Sequence, residues 1–291
     1  MALQHLIFVV FICLVWGFTF VAGKASVVEL PPIFFTGLRF LCLSLVLVPF
    51  LKPVRGYMRH IFLISLLMGS VHFSLFYGGM SLASNVSAVA VATQLAVPFS
   101  TILSIFFLGE YVGWRRWFGI AISFLGVVVI SFDPAIIDER LGLLMVVGAA
   151  LAGSIGMVIM KRITHTGVFQ MQAWVATFSW PLLFIFSVMF EQNQMASLMN
   201  ASWMAIGGIF YTALGASLVG HAGMYYLVQR YDVSLVSPLT LLAPVFGISF
   251  GVLLWGDEPG IRFWLGSVLT LFGVLVIALR RKEMPAVNAN L

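Results

Sequence analysis

From Leu6 to Leu279 the chain is a succession of ten apolar runs joined by short polar links. The runs cover 6–23, 32–50, 61–82, 86–108, 117–132, 141–160, 169–190, 203–228, 233–255 and 263–279. Each is roughly 16 to 26 residues, near the ~20 that a helix needs to cross the hydrocarbon core of a bilayer. Charged residues make up 9% of the chain, against about 25% in a soluble domain, so a water-facing surface cannot be covered. Transmembrane strands would show segments of about ten residues with alternating polarity, and that pattern is absent. The expected fold is an all-α membrane protein of ten transmembrane helices. The first run has no basic start and no small-residue cleavage site, and it reads as a retained span rather than a signal peptide.

The chain repeats itself. Shifted by 147 residues, 86–130 aligns with 233–277 without a gap, and 16 of 45 positions are identical, against about four expected from composition alone. The matches include Val86/Val233, Ser87/Ser234, Thr93/Thr240, Gly119/Gly266 and Gly126/Gly273. A weaker echo at offset 137 pairs Lys24 with Lys161. The reading is two five-helix halves, 1–133 and 134–283, with a short tail at 284–291. Because five is odd, the second half enters the membrane from the opposite side, and the halves are inverted repeats. That construction is typical of secondary transporters working by alternating access.

Basic residues set the orientation. With an even number of spans the termini share a face, and eleven basic residues, Lys52, Arg55, Arg59, Arg115, Arg116, Lys161, Arg162, Arg230, Arg280, Arg281 and Lys282, gather there. Only Lys24, Arg140 and Arg262 fall opposite. The positive-inside rule then places both termini in the cytoplasm, in a multi-pass cell (inner) membrane protein.

The stretches "WGFTFVAGK" (16–24), "LPPIFFTGLRF" (30–40), "FFLGEYVGWRRWFGIAISFLGVVVI" (106–130) and "RYDVSLVSPLTLLAPVFGISFGVLLWGDE" (230–258) resemble the EamA family of the drug/metabolite transporter superfamily. Within it, the likeness is nearest to the bacterial O-acetylserine/cysteine exporter type. The resemblance spans nearly the whole chain. It implies ten helices, cytoplasmic termini, a central cavity between the halves and export of small metabolites, often amino acids or their derivatives. The second copy departs from the first at Asp257-Glu258, where the first has a single Glu110, and the sixth span reads "AGS" where the first has "WG".

Several groups are placed to touch a solute. Pro98 and Pro244 interrupt the fourth and ninth spans at corresponding places, and paired interruptions point to a midplane binding site. Arg39 stands near the centre of the second span, where a charge needs a partner or a wet cavity. It serves either a substrate carboxylate or a neighbouring helix. His72 and His221 lie mid-span in the third and eighth spans, and His221 shares a helix face with Tyr225. Gln94 stands one turn before Pro98. Trp16, Thr19, Tyr77, Ser154 and Thr240 complete the expected substrate pathway. Lys24 is expected to reach the headgroups from its helix end.

All ten acidic residues fall in loops or at span ends. No deep carboxylate is present to carry a proton, so facilitated diffusion or coupling through a histidine is expected. Intramembrane proteolysis by paired aspartates or an HExxH zinc motif lacks its reactive groups, so the reading is not an enzyme. Cys13 and Cys42 lie inside spans and suggest neither a disulfide nor a metal site. No cofactor is implied, and the partners are a small-molecule solute and the lipid bilayer, not nucleic acid. Monomer and homodimer both stay open. The leading function is outward movement of small polar metabolites, with amino acids or their derivatives first. The alternative is efflux of hydrophobic or cationic drugs, which 27 phenylalanines and 14 methionines would suit.

Overall fold

The computed structural model describes residues 2–109, 113–133, 139–161, 163, 166–228, 230–231 and 237–279. Among these there is no strand. Nine helices are long and apolar enough to cross a membrane: α1 (Leu3–Glu29), α2 (Pro32–Phe50), α3 (Met58–Leu82), α4 (Val86–Phe107), α5 (Trp114–Ser131), α6 (Arg140–Met160), α7 (Val168–Phe190), α8 (Trp203–Met224) and α10 (Ile261–Ala278). A shorter apolar helix, α9 (Leu239–Trp255), completes the set of ten. The helical form follows from lipid itself, because a spanning backbone must satisfy its own polar groups.

Packing obeys an approximate two-fold axis that exchanges the halves. The pair α3–α6 has its counterpart in α8–α1, and α4–α6 has its counterpart in α9–α1. On the axis itself, α5 packs against its own mate α10, and α2 against α7. The α5–α10 seam shows why the repeat keeps its glycines. A Cβ on Gly119 would meet the Gly273 carbonyl, and one on Gly126 would meet the Gly266 carbonyl; the converse contacts hold too. Gly119 matches Gly266 in the repeat, and Gly126 matches Gly273, so each contact is the symmetry image of the other. Ser123 and its mate Thr270 meet each other, with the Thr270 hydroxyl donating to the Ser123 carbonyl at 3.4 Å. Early residues of α5 touch late residues of α10, so the two run antiparallel and the repeats are inverted.

At the face opposite the start of α1, carboxylates that follow helices of one half cap helix N-termini of the other. Glu29, ending α1, accepts from the Ser202 amide and hydroxyl at 2.7 Å each, at the head of α8. Glu191, after α7, accepts from the amides of Ile33 (2.7 Å) and Phe34 (2.9 Å) in α2. Asp257, after α9, accepts from the amides of Val86 (3.1 Å) and Ser87 (2.7 Å) and from the Ser87 hydroxyl (2.5 Å) in α4. Asp133, after α5, accepts from the Phe263 amide of α10 at 2.8 Å. Glu139, which precedes α6, ties the halves in another way, accepting from the Ser84 amide (2.8 Å) and hydroxyl in the link ahead of α4. The first amides of a helix have no intrahelical acceptor and carry the positive end of its dipole, so carboxylates fit there.

Lys24 corrects the sequence expectation. It does not reach toward headgroups but is buried, 5% exposed, with its ammonium donating to the carbonyls of Met80 (2.8 Å), Ser81 (3.3 Å) and Ala83 (2.5 Å). Those carbonyls end α3 and have no amides to receive, and a cation there also meets the negative end of the dipole.

A Gly126→Val variant is expected to force α5 and α10 apart. Overpacking of this kind costs about 1–3 kcal/mol, read as a lower unfolding temperature in detergent. Gly113→Ala, where an added Cβ has open space, is the control and is expected to leave that temperature unchanged.

Candidate functional site

Four helices depart from regular α geometry at matching places. α3 is π-helical over Ser65–Val71 and its mate α8 over Tyr211–His221. α4 carries a 3-10 turn at Thr93–Leu95, and its mate α9 begins with one at Ser237–Leu241. Pro98 and Pro244 are each the third residue of the α-helical segment that follows, Ala96–Leu108 and Leu242–Phe250. Each proline lacks the amide that would bond the carbonyl four residues back, so the regular ladder is interrupted where the 3-10 turn meets the α segment. The prolines therefore mark junctions between two helical pieces rather than breaks within one. Irregular backbone at membrane depth is tolerated where it is buried in protein or lines a cavity, and π segments recur at functional sites.

Side chains from neighbouring helices take up the carbonyls of these segments. The Arg39 Nε donates to the Thr212 carbonyl at 3.1 Å, and its Nη2 to the Ser217 hydroxyl at 3.0 Å. The guanidinium lies 4.2 Å over the Phe73 ring and 5.9 Å from that of Tyr77. Trp16 Nε1 donates to the Ala216 carbonyl at 3.2 Å, which His221 Nδ1 also meets at 3.1 Å, and the two rings stack edge to face. Gln172 of α7 donates through Nε2 to the Ser217 carbonyl at 3.3 Å. One π segment thus gathers Arg39, Gln172, Trp16 and His221 from three helices and its own end.

The other sequence candidates fall around this centre. His72 Nδ1 meets the Ala149 carbonyl of α6 at 2.7 Å and stacks near Phe76. Ser154 donates to the Ala96 carbonyl, at the Pro98 junction, at 3.0 Å and to Ala150 at 2.7 Å. Thr19 donates back to Val15, whose carbonyl also takes the Tyr211 hydroxyl. Gln94 stands half-buried inside the 3-10 turn of α4, and Thr240 half-buried within that of α9. The side chain of Tyr225 lies outside the described residues.

What is left unpaired defines the chemistry. Arg39 is 3% exposed and Tyr77 fully buried, yet among the described residues Arg39 Nη1 and the Tyr77 hydroxyl have no hydrogen-bond partner; the hydroxyl lies beside Thr212 without a well-formed bond. Gln172 Oε1 is a buried acceptor in the same condition. A buried polar atom without a partner costs about 1–3 kcal/mol, so open donors and an open acceptor on side chains that share Ser217 are suited to a ligand carrying the opposite groups. Gln172 escaped the sequence reading although the argument that singled out Gln94, an amide in an apolar span, applies equally to it. Thr212 and Ser217 carried no signal of their own.

The sequence matches the EamA-like transporter family over residues 4–132 and again over 140–279. A protein of Escherichia coli named "Probable amino-acid metabolite efflux pump" is 25% identical over 274 residues, covering 91% of each chain. An uncharacterized transporter of Archaeoglobus fulgidus is 29% identical over 276 residues, covering 91% of this chain and 95% of that one. A solved crystal structure of a protein superposes with a TM-score of 0.62 at 18% identity, covering 95% of this chain and 96% of the other; likeness at that identity speaks to the fold.

A Pro98→Ala variant supplies an amide that can bond the Gln94 carbonyl and carry α-helix through the 3-10 turn. Transport is expected to fall severalfold with little change in unfolding temperature. Unchanged transport would make the junction a packing feature only.

Proposed function

The chain belongs to the EamA-like transporter family, and from that premise we propose that it exports amino acids or closely related zwitterionic metabolites by alternating access. The observation that carries the substrate class is the open pair at Ser217: the Arg39 Nη1 donor and the Gln172 Oε1 acceptor, both on side chains already held by that residue. A carboxylate takes the Arg39 and Tyr77 protons in charge-assisted bonds. An ammonium gives a proton to the amide oxygen. A cationic drug would instead meet the guanidinium, and the carboxylates that would attract it stand at the far end of the bundle, occupied by amides.

Orientation completes the reading. The termini lie in the cytoplasm under the positive-inside rule, in the inner membrane where a cell has two. The carboxylate-capped face is then the outer one, and it is closed in this conformation by bonds between the halves. Opening outward requires the halves to part there, while the π and 3-10 segments supply the carbonyls and the bends around which the pocket re-forms.

In proteoliposomes loaded with a panel of amino acids and with cationic dyes, selective amino-acid efflux is expected. Arg39→Gln is expected to lower it by at least about tenfold, the scale of a hydrogen bond to a charged group at roughly 1.5–3 kcal/mol. Dye movement without amino-acid movement would overturn the substrate class. Collapsing the proton gradient is expected to leave efflux unchanged, since the acids of the described residues stand at helix ends; a strict need for the gradient would instead implicate His72 or His221.

A further inference from the structure

The crossing of α4 with α6 and its mate, the crossing of α9 with α1, begin alike and end differently. At the first, Ser154 donates to the Ala96 carbonyl at 3.0 Å. The repeat offsets of 137 and 147 carry these residues onto Gly17 and Ala243, and a Cβ on Gly17 would lie 3.0 Å from the Ala243 carbonyl. The two points are equivalent. Beyond the second, toward the carboxylate-capped face, Phe18 and Phe250 meet edge to face with ring centroids 5.5 Å apart. Phe246 presses on Gly17 there, and Phe20 on Gly247. That end is filled by the chain's own rings.

Beyond the first, toward the opposite face, a crevice of about 150 Å³ stays open, lined by Leu103, Phe107, Ile155, Val158 and Ile159. Leu103 and Ile155 are the repeat mates of Phe250 and Phe18, so two branched side chains stand where the other half has two rings. Phe107 in the wall is 56% exposed, so the crevice is not sealed from outside the bundle, where the medium at this depth is acyl chain. All five walls are apolar, and a polar solute would gain nothing in it. An apolar gap stays dry and forfeits dispersion contacts on every wall. The same end of the bundle is basic. Lys161 follows Ile159 by two residues, and Arg115 and Arg116 open α5 just after the link from α4.

We propose that this crevice is a phospholipid site. One acyl chain of the leaflet at the basic face enters between α4 and α6 and takes the place that Phe18 and Phe250 hold in the other half. An anionic headgroup lies among Arg115, Arg116 and Lys161, as basic groups at a membrane surface draw anionic lipid. The site owes nothing to the identity of the transported solute.

The test uses full-length protein in phosphatidylcholine vesicles with a trace of phosphatidylglycerol that carries a diazirine midway along one acyl chain. After irradiation, peptide mass spectrometry locates the adducts. Exposed faces of all spans take label, so the diagnostic position is Val158, 3% exposed, against its repeat mate Val21, 8% exposed. Label on Val158 is expected to exceed that on Val21 severalfold. Leu103→Phe with Ile155→Phe installs the rings of the other half and is expected to abolish label at Val158 while exposed Leu253 keeps its own, which also reports a folded variant. A phosphatidylcholine probe with the same chain is expected to label Val158 about fivefold less. Equal label on Val158 and Val21, or none on Val158, overturns the site, and equal label from the two probes overturns the headgroup assignment. Transport plays no part in the readout, so either failure leaves the solute reading untouched.

Discussion

A backbone carbonyl in hydrocarbon has no water to fall back on, and the rest of this structure depends on how that constraint is met. Regular helices meet it alone. The irregular segments of α3, α4, α8 and α9 release carbonyls at membrane depth, and side chains, most of them from other helices, take up several of these carbonyls. Thr212 is met by Arg39, Ala216 by Trp16 and His221, and Ala96 by Ser154. The polar residues that stand out in the apolar spans are thus mostly partners of irregular backbone. Only the atoms they have to spare are open to a solute.

The symmetry of the halves makes irregularity and sealing two sides of one design. Each π or 3-10 segment has its mate in the other half, so the centre is nearly symmetric. The ends are not. One face is knotted by carboxylates that each bridge the halves, and the caps at Asp257 and Glu191 bring two or three donors to a single group. Hydrogen bonds of this kind are individually modest, about 0.5–2 kcal/mol for a capping side chain. At the α5–α10 seam the backbones meet closely at glycines beside Ser123 and Thr270, whereas the α2–α7 seam is filled by side chains, with Phe34 and Gly37 both against Phe184.

Much of the fold is legible in the sequence because lipid writes it in a simple alphabet. Span length gives the ten helices, the 147-residue offset gives the repeat, and an odd number of spans per half gives inversion. The proline junctions are legible too, though their geometry is not: the residue that decides it is the 3-10 turn before each proline. Two kinds of feature stay hidden. π segments depend on how a helix is packed, with no side-chain signature in "SLLMGSV" or "YTALGASLVGH". Long-range partners are invisible as well, so Lys24 reads as a headgroup anchor when three carbonyls at the end of α3 hold it inside. Asp257 and Glu191 read as loop acids when they cap helices more than 150 residues away in the chain.

Arg39 shows how the constraint turns into selectivity. A buried guanidinium is tolerated here because two of its nitrogens are bonded and its face lies on Phe73, an attraction that strengthens out of water. Nη1 is held back from that settlement. Satisfying it permanently with an acidic neighbour would make the site rigid and electrically closed, and would leave a zwitterion nothing to gain. Leaving it bare costs the empty state stability, which, under the proposed function, an arriving carboxylate would restore. A transporter needs binding strong enough to choose its cargo and weak enough to let it go, and under the proposed function the unpaired Arg39 donor and Gln172 acceptor would serve both needs with side chains already held at Ser217.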